Sequence, residues 1–179
     1  MESHILIKDA RVIDLGGSYN GKNVDIRIKN GIITEVGKDL KPLKADVWTE
    51  DNLCVSPGWM DGQAHFRDPG EELKEGLLRG LDAASAGGFT DVAILPSTHP
   101  AIDNKASVTY LINRSLESGS ATDAHPIGCI SENRKGAQLA EMLDMAEAGA
   151  IGFSDDVPVE RAGLIQMALE YLRPSGDVL

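Results

Sequence analysis

Apolar and polar residues alternate along positions 5–13, 24–28 and 32–36, a period of two that puts one face of an extended chain on a core. Asn30-Gly31 separates the last two runs, and both residues tolerate positive φ, so the pair predicts a tight hairpin. A small β unit is therefore expected over residues 1–56. After Pro57-Gly58 the period changes to strand followed by helix. Residues 58–63 read as a strand, and a helix over 72–86 would place Leu73, Leu77, Leu81 and Ala84 on one face. Three more such units are predicted: 91–95 before a helix capped by Asp103, 124–130 before a helix over 135–148, and 150–153 before a helix over 161–172. No low-complexity tract or short repeat interrupts them. Repeated βα units predict an α/β fold, with a parallel sheet covered by helices over 57–179 and reactive groups gathered where the strands end.

Composition narrows the choice of partner. The chain has 179 residues, room for one substantial core and a small accessory unit. Its 17 Lys and Arg against 28 Asp and Glu give a formal charge of −11, which disfavours nucleic acid and anionic membrane surfaces. No basic head precedes a long apolar run, and no stretch approaches the ~20 apolar residues of a bilayer span, so a cytoplasmic protein is expected. Cys54 and Cys129 sit alone in apolar surroundings, which predicts buried reduced thiols rather than a disulfide or a metal pair.

The chemistry gathers at Asp61-Gly62-Gln63-Ala64-His65-Phe66-Arg67. In one extended strand Asp61, Gln63, His65 and Arg67 would share a face, and Asp68-Pro69-Gly70 would follow at its mouth. Later strand ends carry Ser97 and His99, then Ser131 and Asn133, then Asp155 and Asp156. Potential ligands at four successive strand ends point to a site. Each residue also has a structural alternative. His65 would hydrogen-bond at a polar strand end, Arg67 would pair with Asp68 or Asp61, and Asp155-Asp156 would form a turn or cap a helix.

Beyond these readings the sequence resembles the N-terminal part of a dihydroorotase of the amidohydrolase superfamily. The match runs from Pro57-Gly58-Trp59-Met60 through the polar stretch to Asp68-Pro69-Gly70. It continues with Ala86-Gly87-Gly88-Phe89-Thr90-Asp91-Val92, Leu95-Pro96-Ser97-Thr98-His99-Pro100, Asp103-Asn104, His125-Pro126-Ile127-Gly128 and Gly152-Phe153-Ser154-Asp155-Asp156. The resemblance implies half of a (β/α)8 barrel of the TIM type, about four βα units, preceded by a segment of a β-sandwich. It also implies reversible cyclisation of N-carbamoyl-aspartate to dihydroorotate in pyrimidine synthesis. Hydantoinases and allantoinases are similar but carry a carboxylated lysine on the fourth strand, where this chain has Asp155 and Asp156. Carried over, His65 and Asp156 would ligate zinc, which generates hydroxide and polarises the amide. Arg67 would clamp a substrate carboxylate in bidentate fashion.

Departures from the family pattern shift the functional expectation. Gln63 stands where the first metal-binding histidine is expected, and a carboxamide oxygen is a poorer zinc donor than imidazole. Ser97 replaces a substrate-binding asparagine, and Val157 replaces a glycine after the paired aspartates. His99, in the same loop as Ser97, offers a replacement ligand. A closed barrel needs roughly 250 residues, and ligands implied on later strands have no counterpart, so the chain is expected to be truncated and to hold no complete catalytic set. Zinc is expected to be weak, partial or absent. Two readings follow: a catalytically impaired dihydroorotase-like protein that supports aspartate transcarbamoylase structurally, or a functional zinc-dependent dihydroorotase seen as a fragment. A homo-oligomer is expected in either case.

Overall fold

The computed structural model describes residues 3–173, 176 and 178–179, and the chain divides into two units, 1–57 and 58–179. In the first unit the alternating segments form strands β1 (His4–Val12), β2 (Asn23–Lys29) and β3 (Ile32–Gly37), joined by short β4 (Asp46–Trp48) and β5 (Cys54–Val55). The sheet order is β3-β2-β1-β4, with β5 also on β1. The hairpin between β2 and β3 turns at Asn30 and Gly31, whose φ values are +50° and +78°.

Alternation understates how deeply β2 is buried. Leu6, Ala10, Val24 and Ile26 form the apolar side, but Asp25 and Arg27 on the other side are also buried. Asp25 accepts from Lys8 Nζ, from the Asp9 N–H at 2.9 Å and from the Leu40 N–H at 2.9 Å. Arg27 donates to Glu35 Oε2 at 2.9 Å and to the Lys41 carbonyl at 2.8 Å. Buried charge is tolerated here because each group has its partners. Cys54 lies exposed at the start of β5, against the expectation of a buried thiol, because this two-residue strand follows an exposed turn at residues 51–52; Cys129 is buried as expected.

The second unit is a parallel sheet in the order β6 (Trp59–Ala64), β7 (Phe89–Ile94), β8 (Asp123–Gly128) and β9 (Gly152–Phe153). Helices α1 (Leu77–Ala86), α2 (Lys105–Ser118), α3 (Met142–Glu147) and α4 (Ala162–Leu172) alternate with the strands. Leu77 and Leu81, then Val108 and Leu111, recur at helical spacing and pack with Val92, Ile94 and Ala124 of the strands. Full burial of each leucine is worth about 1.5–3 kcal/mol. Gly80 is required on α1 because a Cβ there would overlap the Phe66 ring. Among the described residues no helix is long and apolar enough to cross a membrane.

Three predicted helix boundaries are corrected. Helix α1 starts at Leu77 rather than 72, and Leu73 is fully exposed. Gly76 at φ +85° cannot continue a helix, its N–H donates to the Phe66 carbonyl, and the Asp68 carboxylate receives the Leu77 N–H at 3.2 Å. Helix α2 is capped by Asn104, which accepts from the Ser107 N–H at 3.1 Å; Asp103 instead receives the Asn133 N–H at 2.9 Å. The helix predicted over 135–148 shrinks to six residues at Met142–Glu147. Before it, Asn133, Arg134 and Gly136 adopt positive φ, and Glu132 and Ala140 bond back to Gln138 and Ile130, so this stretch is a looped hairpin.

Candidate functional site

The expected four-residue polar row is interrupted. Strand β6 stops at Ala64, its pairing with β7 shifts register between Asp61 and Ala64, Phe66 turns into the core, and Arg67 has φ +61°. His65 and Arg67 therefore project from a loop rather than from the strand that carries Asp61 and Gln63. Gln63 is exposed, its N–H donates to Asp61 Oδ1 at 3.0 Å, and its carboxamide has no hydrogen-bond partner among the described residues.

Three strand ends nevertheless meet at one imidazole. His65 Nδ1 lies 2.6 Å from Ser97 Oγ, past β7, and His65 Nε2 lies 3.8 Å from Asp156 Oδ2, past β9. The two aspartates divide their roles. Asp155 is buried, accepting the Ile130 and Ser131 N–H groups at 2.9 Å each on Oδ1 and the Ser131 hydroxyl at 2.5 Å on Oδ2. Asp155 is thus the turn-forming member and Asp156 the one that faces the site. The positive φ of this loop falls on Asp156, at +54°, one residue before Val157. Ser131 and Asn133, read as strand-end candidates, serve the scaffold through Asp155 and Asp103.

Arg134 is the residue that sequence reasoning missed. Its Nε donates to the Asp155 carbonyl at 2.7 Å, and its Nη2 stands 3.7 Å from the same Asp156 Oδ2 that faces His65. The strand-end rule points to its loop, but reading that loop as the start of a helix hid it. Arg67 pairs with neither Asp68 nor Asp61. Its Nη1 lies 3.6 Å from Glu71 Oε2, and Asp68 is engaged by Leu77 and by the Tyr110 hydroxyl at 3.0 Å. Glu71 is held below the ordinary carboxyl range, first by its hydrogen bond from Lys74 and then by the charges of Lys74, Arg67 and His99. The His99 backbone N–H donates to the Pro69 carbonyl at 3.0 Å. Gly70, at φ +104°, passes so close beneath His99 that a Cβ would overlap its carbonyl.

Two of these side chains stand at nearly the spacing that zinc requires. Two ligands of one tetrahedral zinc at ~2.0–2.2 Å stand roughly 3.3–3.5 Å apart, so His65 Nε2 and Asp156 Oδ2 need only a small adjustment. Among the described residues no three His, Cys, Asp or Glu side chains gather at one point. Gln63 is a weak neutral donor, and Arg134 already places a cation beside Asp156. This donor set does not fit zinc by itself.

Comparison with known proteins supplies the relatives of this arrangement. A family model described as dihydro-orotase-like matches residues 53–172. The chain is 42% identical over 168 residues to a dihydroorotase of Acetivibrio thermocellus, covering 93% of this chain and 39% of that protein. It is 43% identical over 175 residues to a dihydroorotase of Geobacter sulfurreducens, covering 97% and 41%. Among solved structures it resembles the L-hydantoinase (dihydropyrimidinase) from Arthrobacter aurescens, with TM-score 0.72, 19% identity and coverage of 99% of this chain and 40% of that one. A dihydroorotase crystal structure matches with TM-score 0.67 and 14% identity, over 98% of this chain and 50% of that one. At those identities the structural likeness speaks for the fold, an N-terminal β-sheet and a curled parallel half-barrel. The chain spans about two fifths of the length of the curated relatives it matches.

Proposed function

The chain belongs to the dihydroorotase-like family, and from that premise we propose that the protein serves pyrimidine biosynthesis as a dihydroorotase-like subunit with an impaired metal centre. In this reading it is cytoplasmic, binds zinc weakly or not at all, and acts as a structural partner of aspartate transcarbamoylase. The observations that carry the reading are the residue at position 63 and the cation beside Asp156. Gln63 offers a weak neutral donor where the family pattern has histidine, and the Arg134 guanidinium lies 3.7 Å from Asp156 Oδ2. A fixed cation at that range opposes a divalent ion on the same oxygen. Ser97, where the family pattern has asparagine, bonds to His65 and so is diverted from substrate.

The test uses the intact gene product with zinc and dihydroorotate. No carbamoyl-aspartate above the buffer rate, together with co-purification of aspartate transcarbamoylase, is the expected result. Turnover that collapses in Asp156→Ala would overturn the impairment. A stable species that neither binds the transcarbamoylase nor restores its activity on mixing would overturn the partnership.

A second reading is favoured by one observation. Ser97, His65 and Asp156 still meet within 2.6 and 3.8 Å, the half-site that a working zinc-dependent dihydroorotase would keep. Under it, Arg67 would hold a substrate carboxylate, and the same turnover assay returns the opposite result.

A further inference from the structure

The loop after β8 and the start of α4 enclose a cavity of about 450 Å³, which the proposed function leaves unused. Three cations, Arg134, Lys135 and Arg161, line it together with Asp155 and Glu160. The Asp155 carboxylate does not neutralise them. It is buried, and it accepts two N–H groups and the Ser131 hydroxyl. Arg134 donates to the Asp155 carbonyl and Arg161 to the Ala137 carbonyl at 3.0 Å, and both acceptors are neutral. Among the described residues Lys135 and Arg161 form no ion pair. Arg134 stands 3.7 Å from Asp156 Oδ2, so among the described residues Lys135 and Arg161 are the two lining cations left without a carboxylate partner, against the composition of a chain of charge −11.

The walls are also preorganised. The Arg134 N–H donates to the Ser131 carbonyl at 3.0 Å, and the Gly136 N–H to Ser131 Oγ at 2.8 Å, which holds the cation-bearing loop in place. Helix α4 opens at Arg161 without a side-chain cap, so its dipole adds positive potential of the same sign. The volume falls within the ~300–1,000 Å³ range of small-molecule pockets.

We propose that this cavity is a binding site for a small phosphate-bearing metabolite, whose dianion is held by Lys135, Arg161 and the free edge of Arg134. The guanidinium N–H groups not already engaged and the Lys135 ammonium match the oxygens and charge of a phosphate group. The site is separate from the His65–Asp156 pair and touches it only through Arg134. Its existence does not depend on whether zinc binds.

Calorimetric titration of the intact protein with inorganic phosphate and with diphosphate tests it, with succinate as the dicarboxylate arm. Saturable one-to-one phosphate binding is expected, weakened about 10-fold by Lys135→Gln and by Arg161→Gln. Lys105→Gln, which removes a cation paired with Glu147 outside the cavity, should leave it unchanged. Lys135→Gln keeps the test sharp even where Arg161→Gln disturbs the loop, because the Lys135 side chain has no partner among the described residues. Absence of saturable phosphate and diphosphate binding up to ~10 mM would overturn the proposal. So would binding that both cavity variants leave intact, or displacement of phosphate by an equal concentration of succinate.

Discussion

Ser97 Oγ sits 2.6 Å from His65 Nδ1 while the opposite ring nitrogen faces Asp156 Oδ2 at 3.8 Å. A histidine held at one nitrogen presents the other in a fixed direction and a preferred tautomer. Ser97, expected from the sequence to touch substrate, also stands where it can orient His65. Removing its hydroxyl in Ser97→Ala should cost about 1 kcal/mol. Nitrogen-resolved NMR of the His65 ring should show mixed tautomers in place of one, and an unchanged spectrum would dismiss the orienting role.

Asp155 and Asp156 are adjacent but should respond differently to substitution. Asp155→Ala strands two buried N–H groups and a hydroxyl, at an expected cost of about 2–5 kcal/mol. Asp156→Ala removes a partly buried carboxylate whose partners among the described residues stand at 3.7 and 3.8 Å, and should change stability by less than about 0.5–1 kcal/mol. Denaturant midpoints of the two variants check this order, and equal losses would contradict it.

Acid should loosen the N-terminal unit through Asp25. Burial alone would raise its pKa. The hydrogen bonds from Lys8 and from the Asp9 and Leu40 N–H groups outweigh that and hold it below the ordinary value of 3.8. A depressed carboxyl stabilises the fold above its unfolded pKa, and that contribution is lost as pH falls through the folded value. Stability of the wild type should thus fall as pH drops below about 4, and Asp25→Asn should be less stable at pH 7 by about 1–3 kcal/mol with a flatter acid profile. Chemical denaturation between pH 2 and 7, with both ends taken as rough bounds of the carboxyl range, measures it.

The two cysteines should separate cleanly in thiol chemistry. Cys129 is buried, and burial, followed by the charges of Asp155 and Asp103, pushes its thiol well above the usual range. Cys54 is exposed. Since the thiolate is the reactive species, iodoacetamide at mildly alkaline pH should label Cys54 alone in the native protein and both residues after denaturation. Native labelling of Cys129 would contradict the packing of the second unit.

Much of the fold was legible because burial leaves a periodic trace. The Asn30-Gly31 hairpin, the change of period after Pro57-Gly58 and the strands expected over 91–95, 124–130 and 150–153, found at Phe89–Ile94, Asp123–Gly128 and Gly152–Phe153, all follow from it. What failed was local backbone chemistry that periodicity does not record. Gly76 and the Asp68 carboxylate delay α1, and positive φ at Asn133, Arg134 and Gly136 turns a predicted helix into a loop. The meeting of His65, Ser97 and Asp156 was readable from the strand-end rule. Arg134 was not, because its approach to Asp156 depends on that same loop.

Zinc content of the intact gene product, measured for the wild type beside Gln63→His after equal exposure to metal, tests the central claim most directly. Wild-type protein should carry well under one zinc per chain, with a clear rise in the variant, because imidazole is a better zinc donor than the carboxamide it replaces. A wild type that already holds its full zinc, with no gain in Gln63→His, would contradict it.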